Sequence, residues 1–161
     1  MAEHYAGTAK DIQFLIGNVL KLGTGYADIS EQEVEPFLED ADDTIDSALS
    51  NTYLVPLKKC NWNGELVYPP PIPNIAKRIA AGNLMETKYS ETQPNASILG
   101  KKMREEAQMN LAALVAGIGE GKEHLRGQIL ISKNIFARPT IVPKPVGAEV
   151  QETPAGGMGI K

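Results

Sequence analysis

The sequence predicts a mostly α-helical protein, a small bundle of about four helices followed by an extended, proline-rich C-terminal arm. Three observations support this prediction. Apolar residues recur at helical spacing in four segments, and signals typical of helix ends flank those segments. The last part of the 161-residue chain is too rich in proline for a helix or a central strand. We expect a helical domain over residues 1–121 and the arm over residues 122–161.

The first helix is predicted over about residues 9–22. Thr8 and Asp11 form a capping pair at its start, in which the hydroxyl accepts an early backbone N–H and the acid favours the positive end of the helix. Apolar residues then recur every three or four positions, and Gly23 offers the left-handed conformation that commonly ends a helix. Both ends of this helix are therefore marked in the sequence.

The second helix is predicted from Ser30 to about Leu49. Ser30 and Glu33 repeat the capping box, and Pro36 either separates the first turn or restarts the helix. The apolar residues fall on one side of the helix, while residues 28–46 contain nine acids and no base. One face is therefore expected to enter the core, and the other is expected to be densely negative.

Two further helices complete the predicted bundle. Pro73 is expected to be the first residue of the third helix, because its fixed φ and missing N–H suit that position. The fourth helix is predicted over about residues 96–118, with Asn95 as its N-cap. Ile98 and Met109 lie opposite its core stripe, which indicates either two isolated exposed residues or a second buried surface.

The segment between the second and third helices is stiff and apolar. Residues 53–57 read Tyr-Leu-Val-Pro-Leu, and a Trp-bearing loop over residues 58–67 and three consecutive prolines follow. We expect Leu54, Val55 and Leu57 to be buried, since the prolines fix the direction of the chain on either side of the loop. The loop itself is a candidate contact surface.

The arm differs from the rest of the chain in charge and composition. Residues 122–161 hold six bases and three acids, although the whole chain has a formal charge of −4. We expect one short strand over residues 127–131 and an extended chain beyond it. A net-acidic chain without an arginine-rich patch is a poor candidate for base-specific DNA binding.

Patterns that could indicate chemistry are incomplete. The glycine-rich residues 116–124 lack the Ser or Thr of a phosphate-binding loop and follow a helix instead of a strand. The acids of residues 39–46 lack the central glycine and closing Glu of an EF-hand loop. Cys60 is the only cysteine, and it could meet His124 only in space. We therefore predict no catalytic, cofactor or metal site and no enzymatic activity.

No targeting signal is recognisable in the sequence. The N-terminus lacks a basic region followed by an apolar core, and no apolar run approaches the roughly 18 residues of a membrane span. We therefore expect neither export nor membrane insertion.

Several stretches together resemble a known family. They are YAGTAKDI at residues 5–12, the acidic helix, TYLVPL at residues 52–57 and PNIAKRIAAGNLMETKY at residues 73–89. In these the chain resembles the small helical head-tail connector proteins of tailed bacteriophages, also called joining or adaptor proteins, of the Mu-like and lambdoid type. The resemblance covers about residues 5–118. The loop at residues 58–67 is longer than the family usually carries, and the arm has no counterpart in it.

The resemblance implies a structural protein of the virion neck, assembled in the host cytoplasm. It implies a homo-oligomeric ring, commonly of twelve copies, that joins the portal protein to a tail-side neck or tail-completion protein. Genomic DNA would pass through the ring without sequence-specific binding. An acidic face would repel its phosphates, and the candidate residues are Glu39, Asp40, Asp43 and Asp46. The candidate partner contacts are Trp62, Ile98, Met109, Ile129, Leu130, Ile131, Phe136 and Arg138.

Two other interpretations stay open at this point. The chain could be a soluble helical module for regulation or interaction. It could also be a small enzyme or nucleotide-binding protein that uses Cys60, His124 or the glycine-rich residues 117–122. The first would be monomeric or dimeric in solution, and the second would bind nucleotide or lose activity on Cys60→Ser.

Overall fold

The computed structural model describes residues 3–22 and 28–131, and most of these residues are helical. In chain order the elements are α1 (Ala9–Val19), α2 (Glu31–Leu49), β1 (Cys60–Trp62), β2 (Glu65–Val67), α3 (Ile72–Lys88) and α4 (Pro94–Gly119). The chain divides into two compact units, Met1–Ile129 and Leu130–Lys161, and all of these elements belong to the first. The predicted mostly α-helical class is confirmed, and residues 132–161 of the predicted arm lie outside the described residues.

Both α1 and α2 begin with the predicted capping box. Thr8 accepts the backbone N–H of Asp11 and donates its own backbone N–H to the Asp11 carboxylate, and Ser30 and Glu33 repeat this exchange. These bonds satisfy N–H groups that have no partner within the helix. α2 continues through Pro36, which lies on its exposed side, so the first turn is not separate from the rest.

The end of α1 departs from its prediction. Lys21, with a φ of +57°, takes the left-handed position that the sequence analysis assigned to Gly23, which lies outside the described residues. The N–H of Leu22 then donates to the carbonyl of Gly17 (2.9 Å), the long bond of a Schellman motif. Gly121, with a φ of +78°, ends α4 in the same way. Because a left-handed residue can stop a helix even when it carries a side chain, α1 is shorter than predicted.

The third and fourth helices begin slightly before their predicted first residues. α3 begins at Ile72, so Pro73 is its second residue. α4 begins at Pro94, and Gln93 instead of Asn95 occupies the N-cap position. Proline suits the first turn of a helix because its N–H would have no helical partner there. Here the prolines set the helix starts in the absence of a side-chain cap.

The core lies between the four helices, and α3 supplies its centre. α3 contacts α1, α2 and α4. Its closest approach is to α4, where Gly82 crosses Gly100: a Cβ at Gly82 would lie 2.7 Å from the Gly100 carbonyl oxygen, which is shorter than real Cβ contacts. The missing side chains therefore let the two backbones touch.

None of the helices within residues 3–22 and 28–131 is long and apolar enough to cross a membrane.

The strands β1 and β2 form an antiparallel hairpin inside the predicted Trp-bearing loop. Trp62 pairs with Glu65 across the two-residue turn Asn63-Gly64. The φ values of the turn residues are +52° and +90°, and a type I′ turn requires positive φ at both positions. The one short strand was expected at residues 127–131, but the structure has its two strands earlier in the chain, at Cys60–Trp62 and Glu65–Val67. The Asn-Gly dipeptide is the sequence signal that could have predicted them.

After α4 the chain runs along the joint at residues 53–57. Leu125 is buried, and its N–H donates to the Tyr53 hydroxyl (3.1 Å). The side-chain amide of Gln128 accepts the N–H of Lys58 (2.9 Å) and donates to its carbonyl (2.7 Å). The predicted domain boundary at residue 121 precedes these contacts, which fasten residues 125–129 to the helical unit.

Candidate interaction surfaces

The segment before α1 is fastened to the acidic side of α2 by a group of polar side chains. We call this group of side chains the N-terminal clasp, and its members are His4, Tyr5, Glu35, Asp42 and Asp46. His4 is only 6% exposed, and its Nδ1 lies 2.8 Å from Asp42 Oδ2 while its Nε2 lies 2.7 Å from Glu35 Oε2. Because a carboxylate faces each ring nitrogen, both nitrogens can donate, which favours the protonated imidazolium.

Burial and charge shift the pKa values within the clasp. Burial lowers the pKa of His4, but the hydrogen bonds and charges of Asp42 and Glu35 outweigh it, so the net pKa lies above its ordinary value. Burial raises the pKa of Asp42 and of Asp46, and the bonds they accept from His4 and Tyr5 offset only part of this rise. All three shifts favour the protonated form, so the folded clasp holds protons more tightly than the unfolded chain.

Tyr5 extends the clasp from α2 to the apolar joint. Its backbone N–H donates to Asp42 Oδ1 (3.0 Å), and its hydroxyl donates to Asp46 Oδ1 (2.5 Å). The same hydroxyl accepts the buried N–H of Leu57 (2.6 Å). The ring meets Tyr68 edge to face, with 4.9 Å between centroids and an interplanar angle of 83°. One side chain therefore connects three segments that are distant in sequence.

The N-terminal clasp was not predicted from the sequence. His4 is separated from Glu35 by 31 positions and from Asp42 by 38 positions, and no short motif links them. Only the packing of the N-terminal segment across α2 brings these groups together.

The predicted acidic face divides in the structure. Glu39, Asp40 and Asp43 are exposed, and we call them the acidic row. Among the described residues, no cation or hydrogen-bond donor pairs with their carboxylates. Asp46 is half-buried in the clasp, because it lies one helical turn beyond Asp42 on the edge that the N-terminal segment covers.

The apolar joint is only partly buried. Leu57 enters the core and Val55 packs against it, as expected, but Leu54 is exposed, contrary to the prediction. Tyr53, for which no burial was predicted, is buried as well. Successive side chains of an extended chain point to opposite sides, so Tyr53 and Leu54 cannot both face the core. The backbone of Leu54 instead donates its N–H to the carbonyl of Ile129 (2.7 Å).

The hairpin presents two large apolar side chains. Trp62 is partly exposed, and the guanidinium of Arg126 lies 4.5 Å from its ring centroid, a cation–π contact. Leu66 is 66% exposed and pairs with Asn61 across the two strands. The predicted contact residue Trp62 is therefore accessible, but it is also held by the chain that follows α4.

The predicted contact residues of the arm lie at its beginning or outside the described residues. Ile129 is exposed in the helical unit. In the second unit, Leu130 is exposed and Ile131 is half-buried. Phe136 and Arg138 lie outside the described residues.

α4 has a second apolar surface on the side away from the core. Ile98 and Met109 are 66% and 70% exposed, as the prediction that they lie off the core stripe requires. Two lysines and two glutamates lie between them along the helix. We call the whole set the outer face of α4, and its members are Ile98, Lys101, Lys102, Glu105, Glu106 and Met109.

The residues considered in the sequence for metal binding, nucleotide binding or catalysis lie in the following surroundings. Within residues 3–22 and 28–131, no group of three or more His, Cys, Asp or Glu side chains is arranged so that it could hold a metal ion. The glycine-rich residues 117–121 close α4. Cys60 is buried against Gly127, where an added Cβ would lie 2.8 Å from the Cys60 Cβ, while His124 is exposed.

Comparison with known proteins matches most of the chain to a bacteriophage protein family. The family model described as "Bacteriophage Mu, Gp36" matches residues 9–125, which include all six helices and strands. The match ends at Leu125, the buried residue that follows α4. No curated protein matches the chain.

Proposed function

The chain belongs to the bacteriophage Mu Gp36 family, and from this premise we propose that it is a structural protein of the virion neck. In this role it forms a homo-oligomeric ring between the portal of the DNA-filled head and the tail. Genomic DNA passes through the ring without sequence-specific binding. The proposal also rests on the resemblance of residues 5–118 to head-tail connector proteins.

The acidic row is the observation on which the proposal depends. Its three carboxylates lie on a 19-residue helix whose opposite side is buried in the core. The N-terminal clasp contacts the same helix from another side, so packing and hydrogen bonds together fix the position of the row. A fixed negative surface repels phosphate groups. Such a surface suits the wall of a channel in which DNA must slide and not adhere.

Exposed apolar side chains supply candidate contacts with the portal or with a tail-side protein. The helical unit exposes them at the joint, on the hairpin and after α4, and the four are Leu54, Trp62, Leu66 and Ile129. Hydrogen bonding between Leu54 and Ile129 and stacking between Trp62 and Arg126 hold these segments in place. Exposed apolar groups on a rigid scaffold are typical of protein contact sites.

The neck role is tested by removing the protein from its phage. An early stop codon in the gene should leave detached heads and complete tails in electron micrographs of the lysate. The wild-type chain supplied from a plasmid should restore joined, infectious particles, and it should be found in those purified particles. Normal virions without the protein, or a lysate that lacks tails or heads altogether, would contradict the proposal.

The acidic row has its own test. Replacing Glu39, Asp40 and Asp43 by Lys should still allow particles to assemble but should slow DNA ejection from purified virions by about tenfold or more. The matched control replaces three exposed acids outside α2 by Lys, at Glu65, Glu91 and Glu123. Equal ejection rates for the two triple variants would show that the row does not face DNA.

A further inference from the structure

The outer face of α4 is complementary to itself, and we propose that two copies of the chain pair through it, antiparallel, about a two-fold axis. This inference goes beyond the neck role. It concerns the free chain and uses a surface that the proposed function leaves unassigned. The partner of α4 is a second α4.

The residue pattern is symmetric about the midpoint between Met103 and Arg104. Ile98 and Met109 lie equally far from this midpoint, and the lysine pair precedes it by as much as the glutamate pair follows it. In an antiparallel pair with its two-fold axis at the midpoint, equidistant positions face each other. Ile98 of one copy then meets Met109 of the other, and the lysines of each copy lie opposite the glutamates of the other.

Charge complementarity selects this arrangement over a parallel one. In a parallel pair in register, the lysines of one copy would lie beside the lysines of the other, and the glutamates beside the glutamates. Like charges at close range disfavour a contact, and opposite charges set its orientation. The order of the two charged pairs along α4 therefore favours an antiparallel pairing of this face with the same face of a second copy.

Contacts within one chain do not account for these charges. Lys101 lies 3.9 Å from Glu105, with the lysine first, which is the less favourable order for a pair four residues apart on a helix. Glu106 lies 3.7 Å from Arg78, a long and solvent-exposed contact. Exposed pairs of this kind contribute little to stability. The side chains of Lys101, Glu105 and Glu106 can therefore exchange these partners for those of a second copy.

The two apolar residues at the ends of the pattern give the contact its favourable burial. Ile98 and Met109 project from the side of α4 that faces away from α3. The next outward residues, Ala112, Ala113 and Ala116, are exposed and small, so they do not hold a second helix away. Each copy therefore contributes two large apolar side chains to a surface that small residues extend.

The expected pair is weak and limited to two copies. A single helix face is at the small end of specific interfaces, so the pair should dissociate on dilution. A two-fold contact uses the same surface on both copies and closes at two, whereas a ring needs different surfaces on its two sides. The α4 pair and the neck ring are therefore separate assemblies and are tested separately.

Charge exchange in the purified full-length chain tests the pair. Sedimentation equilibrium at low salt should show a concentration-dependent dimer for the wild type. The double variant Lys101→Glu/Lys102→Glu should be monomeric, and so should Glu105→Lys/Glu106→Lys. An equimolar mixture of the two variants should form a heterodimer by native mass spectrometry, and the fourfold exchange should restore the homodimer.

The apolar contribution has a matched control. Ile98→Ser should weaken the dimer by about tenfold or more, whereas Leu66→Ser, which changes an equally exposed residue on the hairpin, should leave it unchanged. Circular dichroism should show the same helix content for every variant. A wild type that stays monomeric at high concentration would overturn the pairing. So would charge variants that associate as the wild type does, or a mixture that fails to associate. The neck role is judged from virions and does not depend on this result.

Discussion

Four aspartates of α2 illustrate two different uses of the same residue type. Asp42 and Asp46 lie in the N-terminal clasp, where they accept hydrogen bonds from His4 and Tyr5. Asp40 and Asp43, only a few positions away, are exposed and belong to the acidic row. The first two hold the chain together, and the second two leave their charge available to the surroundings. Helical geometry makes this division, because neighbouring positions point in directions about 100° apart.

The comparison separates stability from function within one helix. Changes to the clasp should destabilise the fold, whereas changes to the acidic row should alter interactions and leave stability almost unchanged. Matched substitutions at the two sites therefore test whether the clasp stabilises the fold and the acidic row does not.

The largest difference is expected between Asp42→Ala and Asp40→Ala. The first leaves His4 Nδ1 and the Tyr5 N–H without their acceptor, and the lost bonds should lower the free energy of unfolding by about 2 kcal/mol. The second should change it by less than about 0.5 kcal/mol. Both replace an aspartate inside α2, so the gain in helix propensity is common to them. Urea unfolding measures the difference, and equal values would show that the clasp does not stabilise the fold.

A smaller loss is expected for Tyr5→Phe. The ring is kept, but the buried N–H of Leu57 loses its acceptor and Asp46 loses its donor, which should cost about 1 to 2 kcal/mol. Tyr68→Phe is the control, since no hydrogen bond to the Tyr68 hydroxyl is found in the described part of the chain. Thermal unfolding of the two variants compares them. A control as unstable as Tyr5→Phe would contradict the role given to the hydroxyl.

The smallest expected effect is the pH dependence of the clasp. The folded-state pKa of His4 is raised, so its contribution to stability is complete below about pH 6.5 and is lost as the pH rises through the folded-state value. The raised pKa values of Asp42 and Asp46 act in the same direction at lower pH. Wild-type stability relative to His4→Gln should therefore decline above about pH 6.5. Urea titrations of both proteins at several pH values measure it, and a difference that grows with pH would refute it.

Local features of the fold could be predicted from the sequence. The sequence predicted three of them correctly: the capping boxes at Thr8 and Ser30, the buried side of α2, and the outward position of Ile98 and Met109. Each depends on residues within about one helical turn or on a helical repeat. The match of residues 9–125 confirms the bacteriophage family that short motifs of the same kind implied, and the head-tail connector type stays a prediction.

Contacts between distant segments could not be predicted. The clasp joins residues more than 30 positions apart, and Leu125 reaches Tyr53 across 72 positions. Leu54 was expected to be buried because it is apolar, but the direction of the extended chain exposes it. The hairpin, which was not predicted, is the exception, because Asn63-Gly64 is a local signal for it.

The acidic helix shows most clearly where local information ends. Nine acids without a base in residues 28–46 were enough to establish a negative face, because charge and helical period belong to the chain itself. Which of these acids are exposed depends on where the N-terminal segment crosses α2. That crossing is decided by the burial of Tyr5 and His4 against groups far away in the chain. Periodicity acts over a few residues, whereas burial is a property of the assembled core.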